Sequence, residues 1–145
     1  MTKKILVLST FILLIIGCST TVNPDEYLRR MNITLQGDYE IMKRNSSPAI
    51  GDLLIEFELK LGEADYNNVV NTIKLSREFE VLDSHDSYPS GLGNLSSTDI
   101  KEFACFRNGT YYKHLYIPDT IGSGWETYNV FLKNDSILYF QYVDE

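Results

Sequence analysis

Leu53-Leu54-Ile55-Glu56-Phe57-Glu58-Leu59-Lys60-Leu61-Gly62 is the stretch on which the fold turns, because its pattern satisfies two periods at once. As a strand, Ile55, Phe57, Leu59 and Leu61 alternate with Glu56, Glu58 and Lys60, one apolar face and one polar. As a helix, Leu53, Leu54, Phe57 and Leu61 share a face, and Glu56 and Lys60 form a favourably ordered i,i+4 pair. Gly62 then stands at C′. Alternation alone slightly favours the strand.

The residues just upstream read as a short helix, Glu40-Ile41-Met42-Lys43-Arg44, stopped by Ser46-Ser47-Pro48. Before it comes Gln36-Gly37-Asp38-Tyr39, and between the two segments Ile50-Gly51-Asp52. Gly51 lies fourteen residues after Gly37, and Gly62 eleven after Gly51.

This spacing resembles the small lipoprotein accessory subunits of the outer-membrane β-barrel assembly machine. Those chains carry a Gln-Gly-Asn-Tyr-like start, a glycine at a fixed distance, and an amphipathic helix ending in Leu-Gly. Here the matching positions are Gly37, Gly51, Leu61 and Gly62, over about thirty residues. Asp52-Leu53 replaces the usual Met-Thr or Met-Ser, and Ala64 stands where proline is usual. The resemblance implies a helix over residues 52–61, and an assembly role beside an integral envelope protein. It tips the reading of Leu53 to Leu61 from strand to helix.

Further towards the N-terminus, Asn23-Pro24-Asp25-Glu26 has the order of a helix start: Asn23 as N-cap, Pro24 at N1, Glu26 in the capping-box position. The helix places Tyr27, Leu28 and Met31 on one side and Arg29-Arg30 on the other. At the extreme N-terminus, Lys3-Lys4 precede an apolar run from Ile5 to Ile16, which ends in Leu14-Ile15-Ile16-Gly17-Cys18. As a helix the run spans about 18 Å, too short for a bilayer core of roughly 30 Å, so an export signal fits better than a membrane span. The ending resembles a bacterial lipoprotein lipobox, which implies cleavage before Cys18 and lipidation of its thiol. Residues 1–17 are then signal peptide and 18–22 a lipidated tether. Acyl chains on one residue form a lasting anchor, because each buried methylene contributes about 0.8 kcal/mol. The competing interpretation is an ordinary secretory signal with an incidental cysteine.

Cutting before Cys18 removes 17 of 145 residues and leaves 128, enough for one cored domain over residues 23–145. It also removes Lys3 and Lys4 from the 13 basic residues and none of the 20 acidic ones, taking the net charge from −7 to −9. Such a surface repels phosphate backbones and anionic lipid, so nucleic acid is not an expected partner, and membrane contact falls to the acyl chains. Cys105, the second of two cysteines, lies among Phe103, Ala104 and Phe106 and reads as a buried small hydrophobe.

Downstream of Asp65 the pattern turns to strands. Ile73, Leu75, Phe79 and Val81 alternate with polar neighbours, and residues 84–98, rich in serine and glycine, read as a loop. Asn108-Gly109 between Phe103–Arg107 and Thr110–Ile117 is a hairpin signal, because a type I′ turn needs positive φ at both positions. Lys133-Asn134-Asp135 joins a second pair, Trp125–Leu132 and Ser136–Val143.

The sequence offers no nucleophile elbow, phosphate loop or zinc-ligand spacing. His85, within Asp83-Ser84-His85-Asp86, reads as a solvated loop residue. His114, on the same strand face as Tyr112 and Tyr116, reads as a cross-strand polar position. Glu56, Glu58 and Glu63 read as a solvated face. No enzyme, metal site or cofactor is expected. The aromatics are the distinctive asset: Tyr111, Tyr112, Tyr116, Trp125, Tyr128, Phe131, Tyr139, Phe140 and Tyr142 crowd the C-terminal strands. They suit strands in any case, and they also suit an interface.

The expected architecture is α+β: short N-terminal helices packed on a small antiparallel sheet of hairpins, behind a cleaved signal peptide. The expected role is a non-enzymatic lipoprotein of the cell envelope, in the outer membrane where the cell has two. It engages a membrane-embedded or membrane-proximal protein as an assembly accessory. The alternative is a protective inhibitor, immunity or exclusion lipoprotein that binds a cationic protein.

Overall fold

A computed structural model describes residues 22–48, 52–86, 99–119 and 124–144. In chain order these form α1 (Pro24–Arg30), β1 (Glu40–Pro48), β2 (Leu53–Lys60), α2 (Glu63–Lys74), β3 (Phe79–Val81), β4 (Lys101–Arg107), β5 (Thr110–Pro118), β6 (Trp125–Lys133) and β7 (Ile137–Asp144). The strands make one seven-stranded sheet in the order β1-β2-β7-β6-β5-β4-β3, antiparallel throughout except for the parallel β3–β4 pair. Of the described residues 51% are in strands and 18% in helices, which corrects the α+β expectation of helices on a small antiparallel sheet. The molecule is a large mixed sheet carrying two short helices.

The largest correction falls on residues 52–61. They are not a helix: Leu53–Lys60 is β2, paired with β1 on one side and β7 on the other. Burial follows a period of two, with Ile55, Phe57 and Leu59 buried and Glu56 and Glu58 half-exposed. Phe57 lies opposite Phe140 in register, and the two rings stack at 4.5 Å. Two neighbouring strands give each apolar side chain a partner, whereas a helix leaves half the run without one. Glu40–Pro48 is likewise a strand, exposed along its whole length, with a register shift between Ile41 and Lys43.

Ile73 to Val81 divides differently from the expected strand. Glu63–Lys74 is a helix with Val69, Val70 and Ile73 on its buried face, Leu75 is its exposed C-cap, and only Phe79–Val81 extends. Glu63 and Asp65 in the first turn and Lys74 in the last complement the helix dipole.

Other expectations agree with the structure. Asn23 caps α1, its side chain accepting from the Asp25 N–H at 3.2 Å, with Pro24 at N1. Leu28 and Met31 are buried while Arg29 and Arg30 are exposed. Asn108 and Gly109 have φ of 48° and 76°, as a type I′ hairpin requires.

The core lies between the helices and one face of the sheet. Leu28, Met31, Val69 and Ile73 meet Ile55, Phe57, Leu59, Leu138, Phe140, Val130, Leu132, Leu115 and Ala104. On the same inner face Lys113, 3% exposed, is neutralised by Glu102 at 3.1 Å. No described helix is long and apolar enough to cross a membrane.

Candidate binding face of the sheet

The side chains that alternate away from the core form a second, outer face, and the strand register arranges them in rows. One row runs Glu58, Tyr139, Phe131, Tyr112, Cys105 across β2, β7, β6, β5 and β4. The next runs Glu56, Gln141, Asn129, His114, Phe103 across the same strands. An aromatic row thus lies beside a polar one.

Within the aromatic row Tyr112 stacks on Phe131 at 4.7 Å, and Phe131 meets Tyr139 at 5.9 Å. Two tyrosines bind the rows together. Tyr139 donates its hydroxyl proton to Glu56 Oε1 at 2.5 Å, and Tyr112 donates to Asn129 Oδ1 at 2.9 Å. Gln141 adds a donor to Glu56 Oε1 at 3.2 Å and Asn45 one to Oε2 at 3.3 Å. These donors, the Tyr139 hydroxyl first, hold the Glu56 carboxyl below its usual range against the opposing effect of burial. Burial and the Glu56 carboxylate in turn push Tyr139 up to about 12.

His114 Nδ1 lies 2.8 Å from Asn129 Oδ1. An amide oxygen only accepts, so Nδ1 is the donor of this hydrogen bond. Nε2 is buried and has no hydrogen-bond partner among the described residues. Towards β4 and β5 the face is closed off: Cys105, Tyr112, His114 and Tyr116 are all buried. Towards β6, β7 and β2 it opens, with Phe131, Tyr139, Gln141, Glu56 and Glu58 half-exposed. There a shallow recess of about 380 Å³ is lined by Glu58, Thr110, Phe131, Lys133, Ile137 and Tyr139. A recess of about 460 Å³ lies beside Trp125 at the strand ends, but its Glu126 carboxylate already accepts from Tyr128 at 2.8 Å. No metal-binding group of three His, Cys, Asp or Glu residues forms among the described residues.

Of the positions singled out from sequence, Cys18 and Gly51 fall outside the described residues. Gly37 and Asp65 are brought together: Gly37 N–H and Gln36 N–H each donate to one Asp65 carboxylate oxygen at 2.8 Å. A Cβ on residue 37 would stand 3.0 Å from Asp65 Oδ2, close enough that the carboxylate would have to shift. Leu61 is buried, and its N–H donates to Ser136 O at 3.0 Å. Gly62 is the N-cap of α2, not the C′ of a preceding helix. The Leu-Gly pair therefore joins a strand to a helix, which is not the arrangement the resemblance implies.

Cys105 is buried and free, and burial pushes its thiol up to about 11. His85 is exposed, as expected of a solvated loop. The aromatics of the C-terminal strands divide by alternation. Tyr128, Phe140 and Tyr142 join the core, while Tyr112, Phe131 and Tyr139 stand on the outer face. Sequence reasoning missed Asn129 and Gln141 and treated Glu56 as merely solvated. The β6–β7 hairpin alone would have aligned Asn129 with Gln141. Linking both to Glu56 needed the β2–β7 register, which no local signal carries.

The fold and this face define a largely β protein with helices on one side of its sheet and an aromatic-and-polar surface on the other. Comparison with protein-family models, curated proteins and solved structures gives no match.

Proposed function

We propose that this is a lipid-anchored cell-envelope protein that works by binding, with its partner docked on the open part of the outer face and no chemistry at its own residues. The observation that carries the reading is the aligned pair of rows at Glu58-Tyr139-Phe131 and Glu56-Gln141-Asn129. Half-exposed tyrosine and phenylalanine rings supply contact area at small entropic cost, and the amides and carboxylates beside them supply direction. The anchor is the acylated Cys18 that follows the apolar run, in the outer membrane where the cell has two. The partner is an envelope protein in or near that membrane.

An assembly-accessory role is the form the sequence resemblance implies. Its support is now the motif spacing alone, because residues 52–61 are a strand. A protective, inhibitor-like role is the second form, and the excess of acidic residues favours it. One experiment addresses both. The protein is captured from detergent-solubilised membranes as wild type and as Phe131→Ala and Tyr139→Ala variants. A barrel protein captured by wild type and lost from folded variants supports the assembly role, and a cationic soluble enzyme supports the protective one. Equal capture by wild type and variants rejects the outer face as the docking surface. A Cys18→Ser chain is expected to persist as the unprocessed precursor, and normal lipid labelling of it would remove the anchor.

A further inference from the structure

We propose that the recess on the outer face across β2, β7, β6 and β5 binds a small zwitterion, a phosphate monoester and an ammonium joined by a short carbon chain. The recess, about 380 Å³, is lined by Glu58, Thr110, Phe131, Lys133, Ile137 and Tyr139. Phe131, Ile137 and Tyr139 are its apolar part, and its two ends carry opposite charges. Glu58 stands at the β2 end, half-buried and opposite Tyr139, while Lys133 stands at the β6 end, exposed.

Neither end is neutralised by an ion pair. Among the described residues one ion pair forms, Lys113 with Glu102, and it lies on the inner face. Lys43 is opposite Glu58 in the β1–β2 register, yet the two make no ion pair. Glu56, the next outer-face carboxylate on β2, is occupied. It accepts from Tyr139 and Gln141 through one oxygen and from Asn45 through the other. Glu58 is the acceptor left for a ligand, and the Lys133 ammonium is the donor at the far end.

The mixture of signs selects the ligand. A lone cation or a lone anion in this recess meets one opposite charge and one like charge, whereas a zwitterion meets two opposite ones. The two side chains are rooted two strand spacings apart, about 10 Å, so the ligand's own charges must be separated by a short chain. The ends are also unequal. Lys60, opposite Ile137, and Lys133, opposite Thr110, put two lysines and a hydroxyl along one side. These suit a dianionic group, and a single carboxylate beside the Tyr139 ring suits one ammonium. A phosphate monoester is dianionic at pH 8, because its second pKa is about 6. Phe131 and Tyr139 also belong to the docking rows, so a bound zwitterion and a docked protein exclude each other.

The test is a calorimetric titration of the full purified protein with phosphocholine, in uncharged maltoside detergent at pH 8. Choline and inorganic phosphate are titrated as its two halves. Phosphocholine is expected to bind about tenfold more tightly than either half. Glu58→Gln should abolish its advantage over phosphate, and Lys133→Ala its advantage over choline. Glu63→Gln, on α2, should leave all three affinities unchanged. No binding of phosphocholine, equal affinity for one of its halves, or an advantage that survives both substitutions overturns the assignment. The titration contains no partner protein, so such a failure strikes this site and not the docking reading.

Discussion

Gly37 N–H donates to Asp65 Oδ2 at 2.8 Å, joining the turn before β1 to the first turn of α2 across 28 residues. The other carboxylate oxygen takes Gln36 N–H, so one side chain, 3% exposed, satisfies two backbone donors. This contact ties the start of α2 to the turn before β1.

Removing the carboxylate should therefore be costly. Asp65→Ala leaves two amides without their charged acceptor and is expected to destabilise the domain by roughly 3 kcal/mol. Gly37→Ala forces Asp65 to shift by a few tenths of an ångström and should cost about 1–2 kcal/mol. Urea unfolding followed by circular dichroism measures both. An Asp65→Ala midpoint equal to wild type would show that the contact is idle.

The β4–β5 turn gives a second expectation. Gly109 has φ of 76°, and an added Cβ would meet Asn134 Nδ2 at 2.8 Å. The amide of Asn134 can swing aside, but the left-handed backbone cannot relax, so Gly109→Ala should cost roughly 1–2 kcal/mol. For a domain of this size that corresponds to a loss of about 3–8 °C in melting temperature.

Lys113 and Glu102 separate the cost of breaking a buried pair from its net worth. Glu102→Gln leaves the Lys113 ammonium in the core without its counter-charge. Because Glu102 is itself 31% exposed, the expected loss is about 2 kcal/mol, below the 3–5 typical of a fully buried pair. Lys113→Met in the Glu102→Gln background should recover most of it. A double variant no more stable than the single one would contradict this account.

Glu56 and Tyr139 make stability depend on pH at both ends. The folded-state Glu56 carboxyl lies below its ordinary value, so its contribution is complete above that value and is lost as pH falls through the folded one. Tyr139 is raised from 10.0 to about 12, so its contribution is complete below 10.0 and is lost as pH rises towards 12. Burial also raises Cys105, Tyr128 and Tyr142, so Tyr139→Phe should shrink the alkaline decline by the Tyr139 share only, and bring the Glu56 carboxyl back up. Denaturation midpoints across pH 3–12 check the signs.

Cys105 should be inert in the folded chain. It is buried and its thiol is pushed up to about 11, so at pH 8 almost none is thiolate and reagent cannot reach it. In unfolded chain carrying acylated Cys18, one thiol per molecule should react with a disulfide reagent. Rapid reaction without unfolding would contradict its burial.

The sequence by itself determined the elements whose signals are local. Asn23-Pro24 starts α1 through a side-chain cap two residues from the amide it satisfies. Asn108-Gly109 closes β4–β5 through backbone conformations that few other residues adopt. The burial of Cys105 and of one side of α1 follows from immediate neighbours and periodicity. Leu53 to Leu61 was also legible, since its alternation matches the burial of Ile55, Phe57 and Leu59. The resemblance in motif spacing overrode a correct periodic signal.

Only the tertiary structure decided the rest. Glu40–Pro48 has no apolar face, and it extends because β2 offers hydrogen bonds along its length. Asn67, Asn68 and the β-branched Val69-Val70 weakened the helical signal of α2, which packing on β4 and β5 supplies instead. The binding face depends on β2 pairing with β7, which sets Glu56 beside Tyr139 across 83 residues. Such a register is set by how whole apolar faces meet across the sheet, a sum over many distant contacts. No short stretch of this chain encodes it.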